Sequence, residues 1–327
     1  MLIDVISIIK NDLKDVEDII KKSLENNKNQ FAKELIDYLL NAKGKMLRPI
    51  LTLLVFYSLT PEPSKKQINK ILTVSAAIEI IHMASLVHDD VIDDGEVRRM
   101  KKTINKKWGN EVAVVLGVYL YSVALKLIAD VGSLDILSYL SNAVFSMCNG
   151  ELIQLDNRNS NTFDEEKYLS IISAKTADLF ISSSLCASSI ANCSQHEVES
   201  VRKFAFQLGQ LFQFTDDYLD LKDSNGLLKK EQFQDLTKGT YTLPFKFILD
   251  LSTDDEKNVF LNFDKSNKEN FVNLLKSKTA SKTFTDQCNE IKNEYVKTAF
   301  IELDSFEPNK YIKALKKLTS IVAARVH

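Results

Sequence analysis

Two clusters of aspartates share one spacing in this chain. The first reads Asp89-Asp90-Val91-Ile92-Asp93 and the second reads Asp216-Asp217-Tyr218-Leu219-Asp220. Each has the form D-D-x-x-D and lies in a long apolar stretch that predicts a helix, on which residues four apart share a face. Carboxylates gathered on such faces repel one another unless a cation joins them. The pattern favours Mg²⁺ that also holds a phosphorylated substrate.

Basic residues stand on both sides of the first cluster. Arg98 and Arg99 follow it closely, and the planar fork of arginine donates hydrogen bonds to phosphate in pairs. The segment 44–49, Gly-Lys-Met-Leu-Arg-Pro, adds two cations at the start of a predicted helix, where backbone N–H groups also favour anions. The chain thus offers a metal–phosphate site and a metal-free cationic site, as a reaction between two phosphorylated substrates requires.

The elements that must position these residues are predicted to be helices almost throughout. The 327 residues include only 9 glycines and 5 prolines, far below the average usage of about 12%, so we expect long uninterrupted helices. Apolar periodicity at three-four spacing supports this, and no convincing alternating strand is present. Helices are predicted over residues 3–24, 31–40, 51–59, 65–94, 111–131, 133–155, 165–191 and 195–221. Residues 96–109 are predicted to be an irregular basic connector and residues 222–239 a polar loop.

The composition bounds the class of protein. We predict one all-α domain over residues 1–327, a single-domain bundle of long helices around a central cavity. The net charge of −2 gives no reason to expect a nucleic-acid partner or an anionic membrane surface. The four cysteines lack C-x-x-C spacing, so we expect reduced thiols in a cytoplasmic protein. We find no signal peptide and no run of about 18 uncharged apolar residues that would span a membrane.

Motifs in a fixed order along the chain resemble those of the trans-isoprenyl diphosphate synthases, the polyprenyl synthetase family. In chain order they are Gly44-Lys45-x-x-Arg48-Pro49, His82 with the first aspartate motif, Arg98-Arg99, Gly150-Glu151-x-x-Gln154, Lys175-Thr176, Phe212-Gln213 with the second aspartate motif, and Thr242-Leu243-Pro244. One D-D-x-x-D is a weak signal, but two with these companions in order are a strong one. The resemblance implies the isoprenoid synthase fold.

The resemblance also implies a reaction. An allylic diphosphate, farnesyl or geranylgeranyl diphosphate, ionises to a carbocation, isopentenyl diphosphate attacks it head to tail, and a proton is lost. About three Mg²⁺ ions per site would hold the allylic diphosphate and stabilise it as it leaves. By resemblance the direct metal ligands are Asp89, Asp93 and Asp216, and the supporting carboxylates are Asp90, Asp217 and Asp220.

The other site residues follow from the same resemblance. Arg98, Lys175 and Lys230 match the cations around the allylic diphosphate. Lys45, Arg48, His82 and Arg99 match the residues that bind isopentenyl diphosphate. Lys175, Thr176 and Gln213 match catalytic positions, where the oxygens of Thr176 and Gln213 face the carbocation. The family also suggests a homodimer.

Two small residues predict the length of the product. Ala84 and Ser85 precede Asp89 by one helical turn, where short-chain members of the family place a large aromatic side chain as a floor. We therefore expect a long all-trans-polyprenyl diphosphate, of the kind used for quinone side chains. The alternatives are a shorter-chain geranylgeranyl or farnesyl diphosphate synthase, a subunit of a heteromeric synthase, and a terpene cyclase. Cyclases normally lack the second D-D-x-x-D.

Some positions depart from the family pattern. Val118 stands where aspartate often follows Gly117, and Met100 stands where glycine usually follows the arginine pair. Thr240 replaces a lysine that usually follows a glycine, and Phe233 replaces a glycine expected after Lys230. None of these departures removes a proposed metal ligand.

Overall fold

The structure, a computed structural model, describes residues 2–25, 29–42, 44–158, 162–222, 240–262 and 268–325. Contacts group the described residues into two compact units. Unit 1 comprises those within Met1–Val144, Leu179–Lys203 and Glu302–Leu318, and unit 2 comprises those within Phe145–Asp178, Phe204–Ile301 and Thr319–His327. This grouping does not test the prediction of one domain over residues 1–327, which stays a prediction.

Helices account for nearly all of the described residues, so the prediction of an all-α chain is confirmed. The helices are α1 Leu2–Ser7, α2 Lys10–Glu25, α3 Gln30–Leu40, α4 Leu47–Leu59, α5 Lys65–Ile92, α6 Ile104–Trp108, α7 Asn110–Val131, α8 Leu134–Asn157, α9 Glu165–Ile172, α10 Asp178–Ala191, α11 Gln195–Lys222, α12 Leu243–Asp250, α13 Asp254–Leu261, α14 Lys268–Thr279, α15 Lys282–Leu303 and α16 Lys310–Ala323. A π-helical turn, Ser173–Ala177, joins α9 to α10. Strands β1 Val97–Arg98 and β2 Lys101–Lys102 pair antiparallel.

Helix α5 lies at the centre of unit 1, and its start follows from the sequence. The Ser64 hydroxyl accepts a hydrogen bond from the Gln67 N–H at 3.3 Å, and the Gln67 side chain accepts one from the Ser64 N–H at 3.1 Å. This reciprocal cap satisfies two N–H groups at the helix start. Val74 and Ile78 are fully buried, and α5 packs against α2, α4 and α7. Each such aliphatic side chain contributes about 1.5–3 kcal/mol by burial, so the first aspartate motif ends a firmly packed helix.

Aromatic side chains dominate the core of unit 2. Phe214, Tyr218, Phe245, Phe260 and Phe284 are all buried in one cluster. The Phe245 and Phe260 rings meet edge to face with centroids 5.7 Å apart, and the Tyr218 and Phe284 rings stack at 5.8 Å. Such pairs add about 0.5–1.5 kcal/mol beyond their buried area. Tyr218 lies inside the second aspartate motif, so this core anchors the motif directly.

Three helical segments of the described chain are long and apolar enough to cross a membrane by length and composition: α5, α7 and the run Glu165–Ala191. The expectation that no stretch is long enough counted only uncharged runs, and these helices qualify because one or two charged residues are tolerated in a span. Within the protein, 67% of the apolar window of α5 is buried, against 39% for α7. Helix α7 therefore keeps a large exposed apolar face.

The differences from the predicted elements are local. The helix predicted over residues 3–24 is divided into α1 and α2, and the connector 96–109 contains a short hairpin and α6. Two strands of two residues each are too short to produce a periodic signal in the sequence. The helix predicted over residues 165–191 is continuous but contains the π-helical turn, which apolar spacing does not reveal.

Candidate active site

The first aspartate motif occupies the C-terminal end of α5. Helix α5 ends at Ile92, and the Asp93 N–H donates to the Asp89 carbonyl oxygen at 2.8 Å. This bond keeps Asp89 and Asp93 one turn apart, as the spacing predicts. Both outer aspartates are partly exposed, whereas Asp90 between them is buried, with 8% of its surface exposed.

Asp90 is held by Arg98. The Arg98 Nε lies 2.9 Å from Oδ1 and 3.1 Å from Oδ2 of Asp90, and Arg98 Nη2 lies 2.8 Å from Oδ1. The Asp90 carbonyl oxygen accepts from the Gly95 N–H at 2.8 Å and from Asn105 Nδ2 at 3.0 Å. A forked arginine–carboxylate contact is among the stronger ion pairs in proteins. The two residues predicted to act on the metal and on the diphosphate are thus in direct contact.

A tight hairpin turn presents the arginine pair. Arg98 pairs with Lys101, which leaves Arg99 and Met100 as the two turn residues, with φ of 49° and 64°. Two successive positive φ angles define a type I′ turn, which favours Asn-Gly. Met100 is 76% exposed, so its side chain does not compensate for the strain.

Arg99 reaches back to the segment that precedes α4. Its Nη1 donates to the Ala42 carbonyl oxygen at 2.7 Å, and a Cβ on Gly44 would lie 2.9 Å from both terminal guanidinium nitrogens. A side chain at position 44 would displace the Arg99 guanidinium, so the glycine of the first motif leaves room for that group. Gly44, Arg98 and Arg99 line a cavity of about 460 Å³ in unit 1.

Three further residues of the predicted isopentenyl diphosphate site lie near this cavity but do not line it. Arg48 is buried, with its guanidinium carbon 5.0 Å from the centre of the Phe180 ring. Burial holds the pKa of His82 well below its usual value, and Arg48 and Arg99 lower it further. The imidazole is therefore neutral at pH 7, able to donate a hydrogen bond without adding charge. Lys45 is exposed.

Glu79 belongs to the same surroundings and was not predicted. It is buried and lines the cavity of unit 1. Burial raises the pKa of Glu79, while the charges of Arg48 and Arg99 oppose that rise. The Glu79 carboxyl group thus lies within electrostatic reach of the buried Arg48 and the exposed Arg99.

The second aspartate motif lies on α11, and its middle residue is again buried. Asp217 is 5% exposed, whereas Asp216 and Asp220 are partly exposed. Tyr168 Oη donates to Oδ2 of Asp217 at 2.6 Å, and Gln213 Nε2 donates to Oδ1 at 2.8 Å. Both carboxylate oxygens are thus satisfied by uncharged donors.

The network continues to the predicted catalytic threonine. The Thr176 hydroxyl donates to Oε1 of Gln213 at 2.7 Å. Thr176, Gln213 and Asp217 therefore form one chain of hydrogen bonds, which brings two residues predicted to face the carbocation into direct contact. Because the hydroxyl proton is committed to Gln213, the lone pairs of Thr176 point elsewhere.

Lys175 lies on the π-helical turn. Its Nζ forms an ion pair with Glu151 and approaches Oε1 of Gln154 at 3.2 Å. Glu151 and Gln154 both belong to the motif Gly150-Glu151-x-x-Gln154, to which the sequence assigned no role. A Cβ on Gly150 would lie 3.1 Å from the Lys175 backbone nitrogen, so the glycine permits the close approach of α8.

Hydrogen bonds of Ser173 link the start of the π-helical turn to neighbouring residues. The Ser173 hydroxyl donates to the Leu169 carbonyl oxygen at 2.6 Å and accepts from Gln210 Nε2 at 2.6 Å. Such π-helical turns are frequent at functional sites. The turn sets the directions of Lys175 and Thr176.

Comparison with known proteins identifies the family. A model of the polyprenyl synthetase family matches residues 29–287, which include both aspartate motifs. The chain belongs to the polyprenyl synthetase family. The family predicted from the motifs is therefore confirmed.

Individual relatives within the polyprenyl synthetase family are similar over much of the chain. The octaprenyl diphosphate synthase of Escherichia coli (strain K12) is 35% identical over 219 residues, 67% of this chain and 66% of that protein, just under two thirds of its length. Component 2 of the Bacillus subtilis (strain 168) heptaprenyl diphosphate synthase is 32% identical over 318 residues, 96% of this chain and 84% of that protein. The crystal structure of a polyprenyl synthase from Caulobacter crescentus matches with a TM-score of 0.88 at 25% identity, covering 98% of this chain and 97% of that one. This likeness confirms the predicted isoprenoid synthase fold.

The chemistry of the donor set fits the metal that the polyprenyl synthetase motifs imply. Among the described residues, no three His, Cys, Asp or Glu side chains form a ready cluster of metal ligands. Mg²⁺ does not need such a cage, because it binds one or two carboxylates and takes its other ligands from water and substrate phosphates. The partly exposed outer aspartates can supply those carboxylates, whereas the buried Asp90 and Asp217 are bound to protein donors.

The remaining predicted residues either lie outside the described part of the chain or do not line the cavity of unit 1. Lys230 and Phe233 lie outside the described residues. Ala84 is fully buried, and the partly exposed Ser85 donates its hydroxyl to the His82 carbonyl oxygen at 2.9 Å. The cavity of unit 1 is lined on this helix by other residues, Met83, Leu86 and Val87 among them. The role of Ala84 and Ser85 in chain length stays a prediction.

Sequence reasoning missed Tyr168 and Arg325. Tyr168 reaches Asp217 across 49 positions, and Arg325 Nη2 lies 2.8 Å from Oδ1 of Asp216 near the end of the chain. No local spacing links such pairs. The only available signal for the role of Glu151 was its motif, which named no partner.

Proposed function

We propose that this chain is an all-trans-polyprenyl diphosphate synthase, which adds isopentenyl diphosphate to an allylic diphosphate such as farnesyl or geranylgeranyl diphosphate. One observation carries the proposal: Arg48, Arg99 and a neutral His82 gather in unit 1 while both aspartate motifs are intact. A cyclase ionises one diphosphate and needs no second cationic site. A condensing synthase binds two diphosphates and needs both.

In the proposed reaction the residues of the chain position charge. Arg98 and Lys175 face the allylic diphosphate and stabilise its negative charge as the bond to carbon breaks. The lone pairs of Thr176 stabilise the allylic cation, and Gln213 holds the hydroxyl in that orientation through the 2.7 Å bond. Lys45, Arg48, His82 and Arg99 hold isopentenyl diphosphate so that its double bond attacks. Attack leaves a cation on the isopentenyl unit, and the carbon beside it loses a proton to the departing diphosphate as the new double bond forms.

We propose Mg²⁺ as the cofactor, held by Asp89, Asp93 and Asp216. The related Caulobacter crescentus polyprenyl synthase was solved with calcium and isoprenyl diphosphate, and Mg²⁺ uses the same type of oxygen ligand. When bound, Mg²⁺ neutralises charge on the leaving diphosphate.

A long product is supported by the relatives. Their names include octaprenyl and heptaprenyl diphosphate synthases, which favours the long-chain proposal over a geranylgeranyl or farnesyl diphosphate synthase. The structure also improves the test of chain length. Phenylalanine at the fully buried Ala84 would overpack the core, at a cost of about 1–3 kcal/mol, whereas Ser85 is partly exposed. Ser85→Phe should therefore shorten the product without unfolding the protein, and Ser85→Ala should leave its length unchanged.

We propose a homodimer through the exposed face of α7. Val115, Val118 and Leu125 are exposed there and recur at three-four spacing with Ser122, which resembles a coiled-coil seam. A second copy offers the same stripe, so a two-fold contact would cover both. Light scattering should give a dimer, with Val118→Glu monomeric and the exposed control Lys126→Glu still dimeric. A monomeric wild type would instead favour assembly with a different subunit, since the Bacillus subtilis relative is named as a component.

We also propose a cytoplasmic location, which the cysteine thiols support, since Cys186 and Cys288 are buried without a disulfide.

Incubation of the purified chain with farnesyl diphosphate, excess labelled isopentenyl diphosphate and Mg²⁺ tests the function. Chromatography of the dephosphorylated products should show chains longer than geranylgeranyl, and EDTA should abolish them. A dominant geranylgeranyl or shorter product contradicts the long-chain proposal. No incorporation by the chain alone contradicts an autonomous synthase and favours the heteromeric alternative.

A further inference from the structure

A second cavity, of about 510 Å³, lies within unit 2 behind the second aspartate motif. Its lining on α11 includes Tyr218 and Lys222, which are four residues apart and share a helical face. Asp216 and Asp220 share a different face of the same helix. Tyr218 and Lys222 therefore face away from Asp216 and Asp220, and among the described residues of the lining only Arg325 links the cavity to a carboxylate that we assign to the metal.

Three cations converge on this cavity. Lys222, Lys292 and Arg325 all line it, and no Asp or Glu is found among the described residues of its lining. The Nζ atoms of Lys292 and Lys222 lie 4.4 Å and 5.2 Å from the centre of the Tyr218 ring. Both amines lie against the same ring, so the cavity gathers positive charge without an acidic group among the described residues of its lining.

Two of these cations have donors that the described residues do not satisfy. Lys292 is only 8% exposed and makes no hydrogen bond or ion pair with any described residue. Arg325 gives Nη2 to Asp216, while its buried Nη1 has no acceptor in the described part of the chain. Burying an unsatisfied donor such as Nη1 of Arg325 is unfavourable, so an acceptor from outside the chain would relieve it.

The lowered pKa of the Lys292 amine is consistent with the lack of an acidic group among the described residues of the lining. Burial lowers the pKa of the Lys292 amine, and the charge of Lys222 lowers it further, against an opposing effect of Cys288. A bound anion would favour the protonated amine.

We propose that this cavity binds the phosphate group of a small phosphorylated molecule, with Lys292, Lys222 and Nη1 of Arg325 as donors. Two amines and one guanidinium N–H group suit a dianionic phosphate better than a single carboxylate. Asn289 and Asn293 add amide donors on the same lining. The cavity volume falls within the range of small-molecule sites. The proposal does not depend on prenyl transfer, because neither lysine belongs to the proposed active site and Arg325 contacts that site only through Nη2 on Asp216.

Titration calorimetry with inorganic diphosphate in EDTA tests the proposal on the full chain. EDTA removes metal-dependent binding, and a Lys45→Met, Arg99→Met background removes two of the cations proposed to bind isopentenyl diphosphate. In that background diphosphate should still bind, and Lys292→Met should weaken binding by about tenfold or more, as expected for the loss of one charge-assisted hydrogen bond. Lys297→Met, an exposed lysine on the same helix, should leave the affinity unchanged. Melting curves confirm that each variant is folded.

A second variant and other anions distinguish the possible results of this titration. If Lys292→Met does not fold, Lys222→Met serves as the second variant and should show a similar loss. Binding of inorganic phosphate at the same site indicates recognition of one phosphate group, and tighter binding of diphosphate indicates two, both within the proposal. Absence of diphosphate binding in the background, equal affinity in the lysine variants, or equally tight binding of citrate overturns it.

Discussion

The two aspartate motifs have the same spacing, but different chemistry holds them in place. In unit 1 the buried Asp90 contacts the guanidinium of Arg98. In unit 2 the buried Asp217 accepts hydrogen bonds from Tyr168 and Gln213, both uncharged. The middle aspartate of each motif therefore fixes the helix end, by an ion pair in one unit and by neutral donors in the other. The outer aspartates reach solvent in both.

The backbone segments that carry the neighbouring cations also differ between the two units. A hairpin turn with two positive φ angles presents Arg98 and Arg99 in unit 1. A π-helical turn presents Lys175 in unit 2. Both are departures from regular structure at residues assigned to diphosphate, as expected where function competes with stability. The first stores strain in the turn, whereas the second is stabilised by Ser173 and Gln210.

The outer aspartates should be equivalent despite these differences, and their loss should have the largest effect. Asp89→Asn and Asp216→Asn should each lower kcat by about 10²- to 10³-fold or more, because each removes charge that stabilises the leaving diphosphate through the metal. Initial rates with farnesyl and isopentenyl diphosphate measure this. The exposed Asp94→Asn is the matched control and should retain activity. Near-normal turnover in either motif variant would refute its role in metal binding.

The middle aspartates should differ from each other in stability. Asp90→Asn leaves the guanidinium of Arg98 without its countercharge, so a double-mutant cycle with Arg98→Met should give a coupling of about 1–3 kcal/mol. Asp217→Asn combined with Tyr168→Phe removes a neutral donor and should give about 1 kcal/mol. Urea unfolding of the single and double variants measures both couplings.

Salt provides the control for this second comparison. The Arg98 side chain is 37% exposed, so added salt should weaken the Asp90–Arg98 coupling by screening. The Asp217–Tyr168 coupling should hardly change. Equal couplings with equal salt dependence would contradict the distinction between ionic and neutral anchoring.

The position of Lys175 should depend on Glu151. Glu151→Gln leaves Lys175 with neutral amide partners, and kcat should fall by about tenfold, because a charge-assisted contact of about 1.5–3 kcal/mol no longer fixes the amine. Glu151→Asp should recover part of the loss. If Glu151 were merely structural, the melting temperature would fall while kcat of the folded enzyme stayed constant.

Much of this arrangement could be predicted from the sequence. The helices, their order and both aspartate motifs follow from apolar periodicity and i, i+4 spacing, which are local properties. The partners of the buried aspartates could not be predicted, because Tyr168 and Asp217 are 49 positions apart. The π-helical turn was also missed, since one widened turn barely shifts the apolar pattern. Gly44 was found as a motif residue, but its contact with Arg99, which lies much later in the chain, could not be predicted from local spacing.

The strained turn of unit 1 offers a smaller test. Met100 adopts φ of 64° and is exposed, so Met100→Gly removes the left-handed penalty without losing contacts. The gain of about 1–2 kcal/mol is partly offset by the greater freedom of glycine in the unfolded chain, which leaves about 1 kcal/mol. Urea unfolding should show a more stable protein. Met100→Ala keeps the strain and should show no gain. An unchanged stability in Met100→Gly would mean that the turn is not strained.

The pH dependence of stability should show the smallest difference between the units, and it comes from His82. Burial and the charges of Arg48 and Arg99 lower the pKa of His82 in the folded state. As the pH falls through the unfolded value of about 6.5, the unfolded chain takes up a proton that folded His82 does not, so stability is lost. Between pH 7 and pH 6 this loss should be roughly 0.7 kcal/mol, and His82→Gln should lack it. The Asp217–Tyr168–Gln213 contacts of unit 2 involve no histidine, so Tyr168→Phe should keep the pH dependence of the wild type. A His82→Gln variant with the wild-type pH dependence would show that the imidazole is not held neutral by the cations around it.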